Sequence, residues 1–183
     1  GIKADESRFH HGENFDIILF GYNRIGYGLL ETFRKIKKPF LVVDFNPDTI
    51  NNLVKKKVEC KYGDAGDAEL LSELNFREAK MVISTIPDIE TNLLLLTHIK
   101  TTNKKIIFIT ISHQIDDTMK LYQAGASYVV MPHFLGGRHA SALIEKYGLN
   151  HERFSKHKIS HIEELKKRKT LGQEHPTHER LHK

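Results

Sequence analysis

Thiols are almost absent: Cys60 is the single cysteine in 183 residues. That excludes an intramolecular disulfide and any multi-thiolate metal site, and it favours a reducing compartment. Long apolar runs are missing too. The longest are stretches such as Ile106 to Ile111, far short of the roughly 18 apolar residues a membrane helix needs. Phe9 to Asn14 is polar where a secretory signal would carry its apolar core. What is present, 39% hydrophobic residues, is ample for one core at roughly 100 to 200 residues per domain.

Basic charge on the folded part is also scarce. Lys plus Arg number 28 against 23 Asp plus Glu, formally +5, with a sequence pI near 9.2. Residues 149–183 hold nine basic and five acidic side chains, a net +4, whereas the first 148 residues carry 19 and 18, a net +1. A nucleic-acid binder gathers Lys and Arg, with aromatics or a groove-reading helix, on one face of its folded module. Nothing from 15 to 148 does so, and nucleic acid is excluded as a partner.

The basic end is rich in histidine, with eight of the twelve at or beyond His133. It predicts one helix, Ile162 to Lys169, supported by Glu163 with Lys167 and Glu164 with Arg168 at i,i+4, and Pro176 blocks its extension. The apolar stripe of Ile159, Ile162 and Leu165 is thin, so the segment reads as a solvated end, with a membrane-surface or partner-binding helix as the alternative. His157 with His161 and His178 with His182 have chelating spacing but no Cys or carboxylate company, and no metal site is assigned.

From residue 15 onward, short β-rich runs alternate with helical periodicity. The runs predict six strands: Phe15 to Phe20, Phe40 to Asp44, Val58 to Tyr62, Met81 to Thr85, Lys105 to Ile111 and Tyr128 to Met131. Ile25, Leu29, Phe33 and Ile36 mark a first helix; Asn46-Pro47, a cap followed by proline, opens a second. Asp67 caps a third, a fourth runs from about Asp88 through Ile99, and a fifth from about Gln114 to a stop at Gly125. Pro132 to Gly137 reads as a turn and Arg138 to Tyr147 as a last helix, whose face of Leu143, Ile144 and Tyr147 suits its own domain or a second subunit equally. Strands such as Ile17 to Phe20 and Met81 to Ser84 are apolar without alternation, as expected when helices cover both faces. The expectation is an α/β doubly wound parallel sheet, order 3-2-1-4-5-6, with a C-terminal helix and tail. The domains expected are a linker at 1–14, the sheet domain at 15–148 and a basic tail at 149–183.

The first strand runs into Gly21-Tyr22-Asn23-Arg24-Ile25-Gly26 and then directly into a helix. This is the place of the dinucleotide fingerprint of Rossmann-like folds, with Asn23 at its middle glycine. Gly21 permits the tight turn, Gly26 allows close packing of helix on strand, and the amides near Arg24 and Ile25 face an anion with the helix dipole behind them. Asp44 ends the second strand, 18 residues beyond Gly26, where a carboxylate suits ribose hydroxyls and disfavours a 2′-phosphate. The Asn23 side chain takes space at the closest approach of a pyrophosphate, which favours a mononucleotide over NAD.

With those residues in hand, 15 to 147 resembles the N-terminal lobe of an RCK domain, also called the TrkA N-terminal nucleotide-binding domain. The matches are Ile17 to Gly26, Val42-Val43-Asp44, Gly63-Asp64-Ala65, Ser84 to Asp88 leading to Thr91-Asn92, and Ala124-Gly125-Ala126. The ending Met131 to Gly137 is similar to cytosolic domains attached to Kef-like monovalent cation:proton antiporters. The resemblance implies an adenine-nucleotide sensor, for AMP, ADP or ATP with NAD(H) as a further candidate, on the cytoplasmic face of the cell membrane. It implies a homodimer or larger ring controlling a membrane cation transport domain upstream in the same gene product. Carried over, Gly21, Tyr22, Asn23, Arg24, Ile25 and Gly26 line the phosphate, Asp44 and Phe45 the ribose side, Asp64 and Ala65 the adenine, and Thr85 and Ile86 the distal pocket. His113, in Ser112-His113, stands where many relatives carry an arginine that reaches the phosphates. The resemblance also implies a C-terminal RCK lobe, which the 35-residue tail, largely polar, is not expected to form.

Two other functions compete. A stand-alone TrkA-type subunit of a potassium uptake system has the same fold and no covalent transport domain. An NAD-dependent oxidoreductase needs a substrate domain or an acid/base group at the nicotinamide, and the Rossmann unit consumes nearly the whole chain, so no enzyme is expected and no catalytic residue is assigned.

Overall fold

The computed structural model describes residues 13–170, apart from Arg24 and the side chain of Tyr27. Strands β1 (Ile17–Phe20), β2 (Phe40–Asp44), β3 (Cys60–Tyr62), β4 (Met81–Ser84), β5 (Ile107–Ile111) and β6 (Tyr128–Val130) form one parallel sheet. Their order is β3-β2-β1-β4-β5-β6, as expected. The connecting helices are α1 (Gly26–Lys35), α2 (Pro47–Lys55), α3 (Ala68–Glu73), α4 (Ile89–Thr102) and α5 (Ile115–Gln123).

Alternation along each strand divides the core in two. Ile17, Leu19, Val42 and Cys60 meet Leu30 and Phe33 of α1 and Ile50 and Leu53 of α2. On the other face Ile18, Phe20, Val43 and Phe108 meet Leu70 and Leu71 of α3 and Leu95, Leu96 and Ile99 of α4. Both faces of β1 are buried, which is why its four residues are all apolar. Cys60 is free and fully buried, a small core residue as the sequence suggests.

Three of the loops from a strand's carboxyl end into the next helix carry their own cap. Asn46 accepts from the amides of Asp48 and Thr49, Asp67 from Glu69 and Asp88 from Thr91, each in extended conformation ahead of α2, α3 and α4. Reversal of the winding direction between β1 and β4 leaves the crevice at their carboxyl ends free of a crossing connection, the usual ligand position in such sheets.

The contacts divide the chain into two compact units between Met131 and Pro132. The second holds α6 (Pro132–Tyr147) and α7 (His151–Thr170). This corrects the expected turn at Pro132 to Gly137, which forms the opening turns of α6. Proline is favoured at a first helical position, and Gly136 and Gly137 only lower the local helix propensity without breaking the ladder. The division groups the helix ending at Tyr147 with α7, whereas the sequence pattern groups it with the sheet. Gly148, at φ +59°, ends α6, its amide donating to Ile144 O at 2.7 Å. The side chain of Asn150 then accepts from Arg153 N at 3.1 Å and starts α7, so the helix expected at Ile162 to Lys169 begins three turns earlier. Among the described residues no helix is long and apolar enough to cross a membrane.

Candidate functional site: the carboxyl ends of β1, β2 and β4

The turn after β1 is fixed from three sides. Gly21 has φ +85° and donates its amide to Val43 O at 2.9 Å, extending the β1–β2 ladder by one rung. Its glycine identity is doubly determined: the backbone lies where side chains are disfavoured, and a Cβ there would collide with Thr85 Oγ1. The Thr85 hydroxyl donates to Gly21 O at 2.8 Å, tying the end of β4 to the turn. Asn23 donates from its amide nitrogen to Thr49 Oγ1 at 2.7 Å, tying the turn to α2.

Asp44 makes the third tie. It is buried, and both carboxylate oxygens accept from backbone: Oδ2 from Tyr22 N at 2.9 Å and Oδ1 from Asn46 N at 2.8 Å. The residue expected to hold ribose therefore also clamps the β1 turn to the β2–α2 turn. Each oxygen keeps a second lone pair, so the carboxylate retains capacity to accept from a further donor.

Above this clamp stands the amino terminus of α1. Its cap position is Ile25, at φ −128° and ψ 2°, with no side-chain bond to the free amides and no acidic residue in the first turn. The neighbouring crossover helices α2, α3 and α4 carry a bonded cap and an acid there, and α5 carries Asp116 and Asp117. The first turn of α1 thus has neither a bonded cap nor an acid of its own among the described residues, Gly26 N donating to Tyr22 O at 2.9 Å, and the dipole directs partial positive charge at the crevice. Gly26 is constrained from an unexpected quarter. A Cβ on it would stand 2.7 Å from the Tyr22 ring, so the ring, more than the strand, demands glycine.

The other expected site residues separate into groups. Phe45 is exposed beside Asp44 and lines a cleft of about 410 Å³ with Tyr62, Gly63 and Asp64 at the β3 edge. Asp64 accepts Gly66 N at 2.9 Å and shapes the β3–α3 turn. The Ala65 methyl is buried in the core, so the expected adenine border at this position consists of its backbone alone. Ile86 donates its amide to Ser84 Oγ at 3.3 Å, and its carbonyl accepts from Asn92 Nδ2 at 2.8 Å. His113 follows β5, separated from the β1 turn by β4 in the sheet order. Arg24 lies outside the described residues. Thr49 and Asn92, which hold the turns in place, were not singled out as site residues from sequence. A fully buried asparagine on the core face of an apolar helix was the available signal for Asn92. Its Oδ1 and the hydroxyl of Thr110 have no hydrogen-bond partner among the described residues.

Similarity to known proteins agrees with this geometry. The chain is 28% identical over 126 residues to potassium channel protein 1 of Methanocaldococcus jannaschii, covering 68% of this chain and 38% of that protein. It is 33% identical over 118 residues to the glutathione-regulated potassium-efflux system protein KefC of Salmonella arizonae, 63% of this chain and 18% of that one. It thus spans less than two-fifths of the length of these curated relatives. Among solved structures, the TrkA-N domain of the inner membrane protein ybaL from Escherichia coli superposes with a TM-score of 0.67 at 24% identity, covering 72% of this chain and 98% of that one. The Kef C-terminal domain of Shewanella denitrificans in its AMP-bound form gives 0.62 at 16%, covering 81% and 96%. The sequence pattern of the TrkA-N domain matches residues 17–132, well over half the chain, and the protein belongs to that family.

Proposed function

We propose that the chain is a cytosolic nucleotide-sensing domain that regulates a membrane transporter of potassium or another monovalent cation, of the cation:proton antiporter kind, and that its ligand is an adenine mononucleotide. The observation that carries this reading is the amino terminus of α1, uncapped and without an acid, set over a glycine turn that is tied to Asp44. A phosphate supplies the missing acceptors at α1. Asp44 holds the ribose, Asp64 and the backbone of Ala65 border the base beside Phe45, and Thr85 and Ile86 face the distal part of the pocket. AMP in the Kef relative supports a mononucleotide, as does Asn23 at the fingerprint's middle glycine. No bond is made or broken. The nucleotide binds one conformation of a homodimer or larger ring better than the other, and that difference in affinity biases the attached transport domain at the cytoplasmic face of the membrane.

Calorimetric titration with AMP, ADP, ATP, NAD and NADH tests the reading. AMP is expected to bind and Gly21→Ala to abolish binding. If none of the five binds at physiological concentration the sensing function fails, and if NAD binds tightly while AMP does not, the mononucleotide assignment fails.

A further inference from the structure

We propose that the amino-terminal edge of the sheet, opposite the crevice, is a docking surface for an anionic lipid bilayer. The five connections that return to this edge, residues 36–39, 56–59, 74–80, 103–106 and 124–127, carry eight Lys/Arg and two Asp/Glu, whereas the five at the carboxyl edge carry one and three. The near-neutral charge of the first 148 residues conceals this segregation, so the expectation that no face of the folded part gathers basic charge is corrected. Lys37-Lys38 lie ahead of β2, Lys56-Lys57 ahead of β3 and Lys104-Lys105 ahead of β5, with Arg77 and Lys80 ahead of β4. Pairing sets Phe40, Ile17, Met81 and Ile107 in one row, with β3 beside β2, so at about 4.8 Å per strand the bases span roughly 19 Å from β3 to β5. All eight are exposed, and none forms an ion pair among the described residues. The acids on the same edge are Glu59 and Glu78, with Glu13 and Asp16 ahead of β1, so bases outnumber acids two to one.

Helix dipoles alone do not account for these lysines. Arg34, Lys35 and Lys55 already supply basic charge to the last turns of α1 and α2, and the pairs that follow lie beyond the helices. Lys37 and Lys57 moreover have φ +55° and +58°, a conformation whose usual occupant is glycine. Lysine at both places gives up backbone stability and keeps charge at the edge, as strained residues at functional surfaces do. Composition selects the occupant. Among the described residues of these connections, Ile36, 52% exposed, is the only large apolar side chain on the surface. Stable contact with a second copy calls for an apolar core and is depleted in lysine, and no exposed aromatic is present to stack on bases. Anionic headgroups call for charge alone. The chain also enters β1 at this edge, which on the function proposed above is the side where an upstream transport domain joins. That last step rests on the proposed function, whereas the charge segregation does not.

The test is flotation of the full chain with vesicles of phosphatidylcholine alone and of phosphatidylcholine with phosphatidylglycerol in equal parts. Binding is expected only with phosphatidylglycerol, and it weakens as salt rises from about 0.1 to 1 M and the screening length falls from about 10 to 3 Å. Lys37→Gln, Lys38→Gln, Lys56→Gln and Lys57→Gln together are expected to lower partitioning roughly 600-fold, about fivefold per lysine. Lys37→Gly with Lys57→Gly is expected to lower it about 25-fold without lowering the melting temperature, because glycine suits both backbone positions. The same charge removed from α7, by Lys158→Gln, Lys166→Gln, Lys167→Gln and Lys169→Gln, is expected to change it less than about fivefold. All of these positions are exposed, and the melting temperature verifies that the variants fold. Absence of flotation, equal flotation on phosphatidylcholine alone, or equal losses from the edge and α7 variants overturns the proposal. Absence of flotation with a larger mass for the native chain than for the edge variant assigns the edge to a second copy, and binding of random-sequence RNA in its place, lost in that variant, assigns it to nucleic acid. Both results overturn the lipid reading and leave the AMP titration, a separate measurement, unaffected.

Discussion

Replacing Asp44 by alanine separates two roles that one carboxylate combines. The side chain is 7% exposed and accepts from two backbone amides, Tyr22 N and Asn46 N, in different turns. Hydrogen bonds to a charged group contribute about 1.5 to 3 kcal/mol. Both bonds here are only partly buried, so water reaches the freed amides and the lower end applies, about 3 kcal/mol for the pair. At roughly 4 °C per kcal/mol for a domain of this size, the melting temperature is expected to fall by about 12 °C. Asp64→Ala is the control, because that carboxylate serves one exposed amide, Gly66 N, and its loss costs below about 1 kcal/mol. Calorimetric melting of both variants measures the clamp, amide exchange at Tyr22 and Asn46 locates it, and AMP titration measures the ribose contact, expected to weaken at least tenfold. A melting temperature within about 2 °C of the native value refutes the clamp as argued. A large drop in stability with unaltered AMP affinity refutes the ribose role instead.

Three further outcomes follow from single contacts. Gly21→Ala is expected to cost about 1 to 2 kcal/mol for the backbone conformation alone, and more because Thr85 must give up its position against Gly21 O, measured by chemical denaturation. Thr110→Val removes a buried hydroxyl without a partner among the described residues, so it is expected to be neutral or to stabilise by about 1 kcal/mol, and a clear loss of stability in the same assay contradicts that. Hydrogen bonds from the hydroxyl and amide of Thr91 hold the Asp88 carboxyl below the usual carboxylate range. Its capping of α4 is therefore present above the unfolded-state value and is lost as pH falls through the lower folded value, which carboxyl chemical shifts and Thr91 amide exchange below about pH 4 follow directly.

Where the sequence pattern and the strands disagree, the reason is that apolar runs report burial, whereas ladder membership depends on where the amide goes. Val58 is buried, but its amide donates to Leu53 O at the end of α2 with Lys57 at φ +58°, so the chain joins β3 only at Cys60. The same helix ending recurs after α1, where Lys37 has φ +55° and Lys38 N donates to Phe33 O. Both turns put lysine where glycine is the usual mark, so nothing in the residue type announces them. Phe15 and Ile106 are buried just ahead of β1 and β5, where Ile106 N is taken by a turn with Asn103. Strand order, by contrast, was legible, because unalternating apolar strands separated by amphipathic helices leave few topologies open.

The site was legible to the extent that its constraints are local. Gly21 follows from a tight turn, and the caps Asn46, Asp67 and Asp88 follow from side chains that reach their own helix. The ties that decide the shape of the crevice cross 22 to 65 positions: Tyr22 to Asp44, Asn23 to Thr49, Thr85 to Phe20 and Gly21. Spacing alone suggests Asp44 for ribose without revealing that both its oxygens accept from backbone amides. Those bonds fix the turn before any ligand arrives, and on the proposed reading a phosphate at α1 would meet amides whose positions are set during folding. A preformed anion site of this kind loses little ordering entropy on binding. A change of conformation that transmits binding therefore has to arise outside the turn, in elements it is tied to. Thr85 links the turn to the end of β4, and Ile86 is bonded there both to Ser84 and to Asn92 in the first turn of α4. On the proposed reading, the β4–α4 loop, like the β2–α2 turn bonded through Asp44 and Thr49, is a part of the sheet's rim to which a ligand-dependent shift would be directly coupled.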